Sequence, residues 1–260
     1  SQAAVSGDRI VWRDSRNGNY DIYLYDVTAT QERAICTVLR SQWYPDIDGS
    51  RIVWQDDRFG SGFIQKNDLF MYDLVADAES IVTMAGGFQM YPAISGTRIV
   101  WHDTRGTNPP NVYMYDLAAP GEVVIWQDPG AQYSPDISGD RIVCLDDRTG
   151  YRNVRLYDLT TQTERAVTNT TGYKESVRIC GDLIVWDENG NGNWDIYLYD
   201  LSTEAETRIT SHASEQKTPA VSQAAIVWVD YRTDPDGDIY LYDLTTGQTV
   251  PLVTDEHAQT

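Results

Sequence analysis

One unit of about forty residues is written six times along this chain, and no other feature constrains the fold so tightly. Each copy carries Ile-Val-Trp, or Ile-Val-Cys in the fourth, with an acidic residue close behind, then a polar loop, then an aromatic segment ending in Tyr-Asp. The copies begin at Ile10, Ile52, Ile99, Ile142, Ile184 and Ile226. Trp12, Trp54, Trp101, Cys144, Trp186 and Trp228 stand 42, 47, 43, 42 and 42 positions apart. A fixed period of roughly 40–50 residues means an array of one supersecondary unit, because each unit buries its apolar faces only against its neighbours.

The second copy shows what the unit is. Tyr44-Pro45-Asp46-Ile47 is a short extended segment, and Asp48-Gly49-Ser50 is a tight turn. Arg51-Ile52-Val53-Trp54 is a β-branched and aromatic strand, and a polar loop follows it. Asp68-Leu69-Phe70-Met71-Tyr72-Asp73-Leu74 makes a third strand and Glu79-Ser80-Ile81-Val82-Thr83 a fourth. No helical period occurs. The strands are apolar on both sides, which suits a sheet packed between two others rather than one with a solvated face. The reading is all-β: a six-bladed β-propeller, each blade a four-stranded antiparallel meander. It forms one domain over 1–260, with blades near 1–38, 39–86, 87–129, 130–170, 171–213 and 214–260. Each blade is expected from contiguous chain, with an exchanged closing strand as the alternative.

Charge and composition narrow the function classes. The net charge of −19 disfavours nucleic acid and anionic membrane surfaces, which call for basic patches. There is no apolar run long enough to span a bilayer, so no membrane insertion is expected. The opening SQAAVSGDRI has neither the basic region nor the apolar stretch of a signal peptide and reads as a trimmed or mature chain. Cys36, Cys144 and Cys180 form no C-x-x-C pair and are expected as buried or half-buried thiols, not a disulfide framework. Asn169-Thr170-Thr171 is a glycosylation sequon, a weak sign of export.

The pattern P-x-I-S-G-x-R-I-V-W-x-D-x-R … D-I-Y-L-Y-D-L-x-T resembles the TolB-like β-propeller repeats over essentially the whole chain. It looks most like their tandem versions in secreted and surface-layer-type proteins of methanogenic archaea and some bacteria. The resemblance implies a propeller and a place outside the cytoplasm, usually as one module of a longer protein. It implies no single activity. The periplasmic TolB proteins bind protein partners, whereas the related oligogalacturonate lyase holds a metal with clustered histidines and a glutamine. His102, His212 and His257 fall in unrelated repeat positions here, so that lyase centre is not expected.

Repetition sorts the polar residues. The Asp-x-Arg after the second strand recurs as Asp14/Arg16, Asp56/Arg58, Asp103/Arg105, Asp146/Arg148 and Asp230/Arg232. A catalytic residue needs a unique environment, so a pair repeated five times reads as scaffold. The fifth copy departs: Asp187, Asn189, Asn191, Asn193 and Asp195 alternate through an Asn/Gly loop, and Gly190 stands where Arg16 does. Oxygen ligands at alternate positions suit a hard cation, so Ca²⁺ is the candidate cofactor, replacing the missing guanidinium; an Asn/Gly hairpin without metal is the plain alternative. Asp234, Asp236 and Asp238 repeat the pattern more weakly in the sixth copy.

A glutamine precedes the first strand as Gln42, Gln89, Gln132 and Gln216, with Gln259 completing the set; the fifth copy has Lys174-Glu175. These positions read either as a polar collar at the mouth of the central channel or as amides tying neighbouring blades together. Most aromatics recur at strand positions and are core. The loop aromatics are Trp43, Tyr44, Phe59, Phe63, Phe88, Tyr91, Tyr133, Tyr151, Tyr173, Trp194 and Tyr231. Of these, Trp43, Tyr91 and Tyr133 flank the collar and complete the candidate ligand site. No G-x-S-x-G elbow and no phosphate-binding glycine loop occurs.

The sequence therefore reads as a non-catalytic interaction module, extracellular or at a cell surface (periplasmic in a Gram-negative bacterium). It would bind a protein or glycan through the loop face, as a monomeric module of a larger protein. Loop insertions at 60–67 and 106–111 make that face uneven. The alternative is a carbohydrate-active enzyme, a polysaccharide lyase or glycosidase using carboxylates at the channel mouth. A structural surface-layer spacer is the third reading.

Overall fold

A computed structural model of the chain describes residues 3–60, 66–105, 109–126 and 129–254. Phe63, His257, Gln259 and most of the insertions at 60–67 and 106–111 lie outside the described residues. The described residues form six four-stranded sheets and no helix. Each sheet is contiguous chain in the order first, second, third, fourth strand, so no closing strand is exchanged among the described strands. The second blade has strands Gln42–Asp48, Arg51–Asp56, Asp68–Asp73 and Ala78–Thr83. The antiparallel meander blade expected from the repeat is the blade observed.

The chain divides into two compact units, Ser1–Pro135 and Asp136–Thr260, with the division inside the first strand of blade 4, Gln132–Ser138. In the first unit, alternation along one strand feeds two interfaces, because successive side chains leave opposite faces of a sheet. Ile52 and Trp54 pack with Val11, Ile22 and Leu24 of blade 1. Val53, between them, packs with Ile94, Ile99 and Trp101 of blade 3. The second unit repeats this where Val185 and Ile196 of blade 5 meet Ile226, Trp228 and Tyr240 of blade 6. Apolar residues on both faces of the second strand are thus the signature of a blade with a neighbour on each side.

All three cysteines are free thiols; Cys36 and Cys144 are buried and Cys180 is half-buried. Burial pushes the Cys36 thiol up to about 12, so it stays protonated and unreactive at neutral pH.

Each third strand ends in an aspartate that caps the next turn. Asp73, Asp158 and Asp243 accept backbone N–H bonds from the residues two and three positions on, at 2.8 to 3.1 Å. The N–H three residues on, then the one two residues on, hold these carboxyls below their usual value. A depressed folded-state pKa gives stability that is present above the unfolded pKa and lost as pH falls through the folded one. Replacing all three by alanine is therefore expected to lower the melting temperature at pH 7, and the gap from the parent should narrow as pH drops below about 4. Calorimetry across pH 7 to 2.5 reads it; a gap independent of pH would show that the ionised carboxylates do not cap these turns.

Candidate functional site

The repeated polar residues fasten each blade. Two positions after the tryptophan, or after Cys144 in blade 4, stands a second-strand acid: Asp14, Asp56, Asp103, Asp146, Glu188 or Asp230. The indole N–H donates to it, at 3.1 Å in Trp12–Asp14, 3.0 Å in Trp54–Asp56, 2.7 Å in Trp101–Asp103, 3.1 Å in Trp186–Glu188 and 3.0 Å in Trp228–Asp230. The arginine two residues further on grips the same carboxylate, as Arg58 does Asp56 at 2.7 Å, and Arg58 also reaches Glu79 on the fourth strand at 2.6 Å. On the way it lies over the third-strand ring: Arg16 over Tyr23 at 4.4 Å, Arg58 over Phe70 at 3.8 Å, Arg105 over Tyr113 at 4.4 Å and Arg232 over Tyr240 at 4.4 Å. Blade 4 changes two members together. Cys144 replaces the tryptophan and Arg155 the ring, and Arg155 joins Arg148 on Glu164.

The glutamines are buried: Gln42, Gln89, Gln132 and Gln216 are each 0 % exposed. Their side-chain amides donate to the carbonyls of Arg40, Gly86, Gly130 and Ser214. Their backbone N–H groups bond the preceding blade, at Tyr20, Asn67, Pro110 and Trp194. The tie to the preceding blade is thus made by the backbone N–H groups, while the side-chain amides bond carbonyls two or three residues back.

Blade 5 rewrites the fastening with other letters. Lys174 occupies the glutamine position, is 0 % exposed, and repeats the bond to the carbonyl two residues back, Gly172, at 3.1 Å. Its ammonium also meets Glu188 at 3.2 Å and the Thr170 hydroxyl at 2.6 Å. Burial pulls its pKa down and the Glu188 carboxylate holds it up. The longer glutamate fits because Gly172 and Gly190 leave room: a Cβ on Gly172 would collide with the Glu188 carboxylate, and one on Gly190 would come within 3.0 Å of it. The cation standing in for the missing arginine is thus a lysine of the chain itself.

That arrangement does not bring the five proposed calcium ligands together. In the blade-5 ladder Asp187 pairs with Ile196 and Glu188 with Asp195, so Asp187 and Asp195 project from opposite faces of the sheet. Asp187 accepts N–H bonds from Ser176 at 2.7 Å and from Thr218 of blade 6 at 2.9 Å, and burial pushes its pKa up against them. Asp195 is bound by Arg208 at 2.5 Å, and Asn191 and Asn193 spend their amides on Tyr197 and on the carbonyls of His212 and Ser214. Reading D-x-N-x-N as letters missed this parity.

The surface that breaks the repeat lies on the first strands. Tyr44, Tyr91, Ser134 and Thr218 each precede a proline, yet have φ of +51°, +53°, +46° and +58°. A residue before proline is normally extended, and left-handed backbone is uncommon in a bulky residue. The pairing of the first strand with the second shifts register there in blades 2, 3 and 6. In Ser1–Pro135 these bulges set aromatic rings in a row. Tyr44 meets Tyr91 edge-on at 4.4 Å, Tyr91 lies 6.0 Å from His102, and His102 lies 5.7 Å from Tyr133. The three tyrosines and Trp43 are half-buried, while His102 is buried. His102 follows the tryptophan, where the other blades carry Arg13, Gln55, Leu145, Asp187 and Val229; that variable column was the sequence signal for a break in symmetry. Asp136–Thr260 has its own patch. Tyr173 meets Trp194 edge-on at 6.1 Å, and Lys217 sits 4.5 Å over Trp194 and 3.7 Å from both Glu175 and Glu215.

Comparison with known proteins locates the fold. No family model matches the sequence. No curated protein matches it either. Solved structures do match. TolB from Acinetobacter baumannii superposes with a TM-score of 0.69 at 16% identity, over 96% of this chain and 65% of that one. The uncomplexed acylaminoacyl peptidase of Pyrococcus horikoshii gives 0.76 at 13% identity, over 98% of this chain and 45% of that one. Oligogalacturonate lyase in complex with manganese gives 0.68 at 14% identity, over 97% of this chain and 76% of that one. The fold is therefore that of the six-bladed TolB-like β-propellers, and the chain spans 65% of the Acinetobacter protein and 45% of the peptidase. Among the described residues no helix is long and apolar enough to cross a membrane.

Proposed function

We propose that the chain is a non-catalytic binding module, working outside the cell or at its surface, that takes a protein or glycan partner on its first-strand surface. The observation that carries this is the row of rings built by strained backbone. Left-handed residues before proline cost about 1–3 kcal/mol each, and such strain concentrates where geometry serves a ligand. Half-exposed aromatic rings beside polar groups suit the apolar faces of sugars and the side chains of peptides. The TolB likeness fits a binding role, and the net charge of −19 suits a salty, extracellular setting. The likeness to a lyase supports the second reading, a carbohydrate-active enzyme.

The test is a glycan array together with affinity capture from a cell-surface extract, each followed by product analysis. Tyr91→Asn is the variant of choice, because asparagine tolerates the left-handed backbone and removes only the ring. The expected result is a ligand released unaltered and held at least about tenfold more weakly by Tyr91→Asn, the equivalent of about 1.4 kcal/mol. A shortened or unsaturated sugar product would establish the enzyme instead, and undiminished binding by Tyr91→Asn would remove the tyrosine row as the site.

A further inference from the structure

We infer that the second-to-third-strand loop of blade 6, Asp234-Pro235-Asp236-Gly237-Asp238, is a site for a hard divalent cation, Ca²⁺. The inference is independent of the binding role proposed above. It starts from the position that opens each third strand, beside the second-strand acid: Asp21, Asp68, Asn111, Asn153, Asp195 and Asp238. Outside blade 6, each acid that stands there is given side-chain amides or a cation. Asp21 receives the amides of Asn17 at 2.7 Å and Asn19 at 2.8 Å. Asp68, whose second oxygen is likewise unfilled among the described residues, has the Lys66 ammonium at 3.0 Å, and Asp195 has Arg208 at 2.5 Å. Blades 3 and 4 avoid the charge with asparagine.

Asp238 has neither device. It is 2 % exposed, one oxygen accepts the Thr233 hydroxyl, and the other has no partner among the described residues. Its ladder partner is Asp230, itself 0 % exposed, whose arginine, Arg232, is engaged with Asp230 at 2.6 Å. Two buried carboxylates therefore stand side by side against one guanidinium. A buried carboxylate with an unfilled oxygen calls for a cation or a proton.

The loop supplies what a cation needs. Asp234, Asp236 and Asp238 line an open cleft of about 490 Å³ with Thr233, Tyr240 and Thr254. Gly237 turns the chain between the acids at φ +86°, where a Cβ would run into Val229 and the Tyr231 ring. Asp234 uses one oxygen on the Asp236 N–H at 2.8 Å, leaving its other for a ligand. Among the described residues no histidine or cysteine lines the cleft, so the donors they offer are hard oxygens. Ca²⁺ accepts six to eight oxygens in irregular geometry, water included, whereas Mg²⁺ demands a near-ideal octahedron that a loop of this kind does not offer. The three carboxylates do not yet converge on one point, since no three acids are so grouped among the described residues. Binding should therefore draw Asp234 and Asp236 toward Asp238 and order the loop.

The experiment titrates CaCl₂ into chelator-stripped protein by calorimetry, with thermal melts alongside. The expected result is one saturable site with a dissociation constant of about 10⁻⁴ to 10⁻³ M, the range of extracellular calcium modules. Millimolar Ca²⁺ should raise the melting temperature, and equal Mg²⁺ should not. Asp238→Asn should weaken binding at least about tenfold while leaving the calcium-free protein as stable or more so, because the unpartnered charge is gone. Should that variant fail to fold, Asp236→Asn, on the exposed side of the loop, should show the same loss of affinity. Absence of saturable binding up to about 10 mM, equal response to Mg²⁺, or affinity unchanged in both variants would overturn the inference.

Discussion

Lys174→Ala is expected to destabilise the protein by about 3–5 kcal/mol, read as a shift in the urea midpoint. The magnitude follows from burial. Lys174 is 0 % exposed and the Glu188 side chain 9 %, and their 3.2 Å pair is the charge balance of blade 5. Removing the ammonium strands the carboxylate beside the Trp186 indole and close to Glu206, whose pKa burial and then Glu188 already raise. Breaking such a pair is far more harmful than never having it, because the remaining charge stays desolvated. The repeat supplies its own rescue. Lys174→Gln with Glu188→Asp and Gly190→Arg rewrites blade 5 in the letters of blade 2, where Gln42, Asp56 and Arg58 share the work. The triple variant should recover most of what Lys174→Ala loses. A loss below about 1 kcal/mol for Lys174→Ala would mean that water, not lysine, screens Glu188.

This swap marks the boundary of what the sequence discloses. Six copies of a four-strand unit, apolar on both faces, were legible as blades because every letter recurs and recurrence averages out local ambiguity. The Asp-x-Arg fastening was legible as scaffold by the same reasoning. Exposure was not: Gln42, Gln89, Gln132 and Gln216 recur as polar letters, and only the fold shows all four at 0 % exposure with their amides on backbone carbonyls. Pairing across strands was not legible either. Lys174 and Glu188 lie fourteen positions apart and meet because they face each other in the ladder. Asp187 and Asp195 look like ligands of one loop, and strand parity sends them to opposite faces. The ring of His102 lies between Tyr91 and Tyr133 only because the first strand bulges before proline, where propensity argues against a left-handed tyrosine. Charge left unbalanced at Asp238 became visible only after the partners of its five counterparts were known.

Trp54→Ala should be the most damaging change in the repeated scaffold, at about 3–5 kcal/mol. The side chain is 0 % exposed, and its loss acts on three interactions at once. The indole fills the interface with Val11, Ile22 and Leu24 of blade 1, so its removal opens a cavity between blades that neighbouring strands are too stiff to close. It stacks on Phe70 at 6.2 Å, the ring that Arg58 covers from above at 3.8 Å. Its N–H holds the buried Asp56 carboxylate at 3.0 Å, a donor that alanine leaves unreplaced. Trp54→Phe separates these contributions: it keeps a ring in the interface and loses the N–H, so a smaller loss of about 1–3 kcal/mol is expected. Blade 4 shows why the unit tolerates loss only in concert. There Cys144 leaves the same space empty of an indole, and Arg155 replaces the stacked ring with a charge that Glu164 receives at 2.5 Å. Trp54→Ala makes the first change without the second, leaving Phe70 and Arg58 in place around the void. Urea unfolding of Trp54→Ala, Trp54→Phe and the parent measures the order; equal losses for the two variants would show that the indole N–H bond to Asp56, not the filled interface, is what the tryptophan contributes.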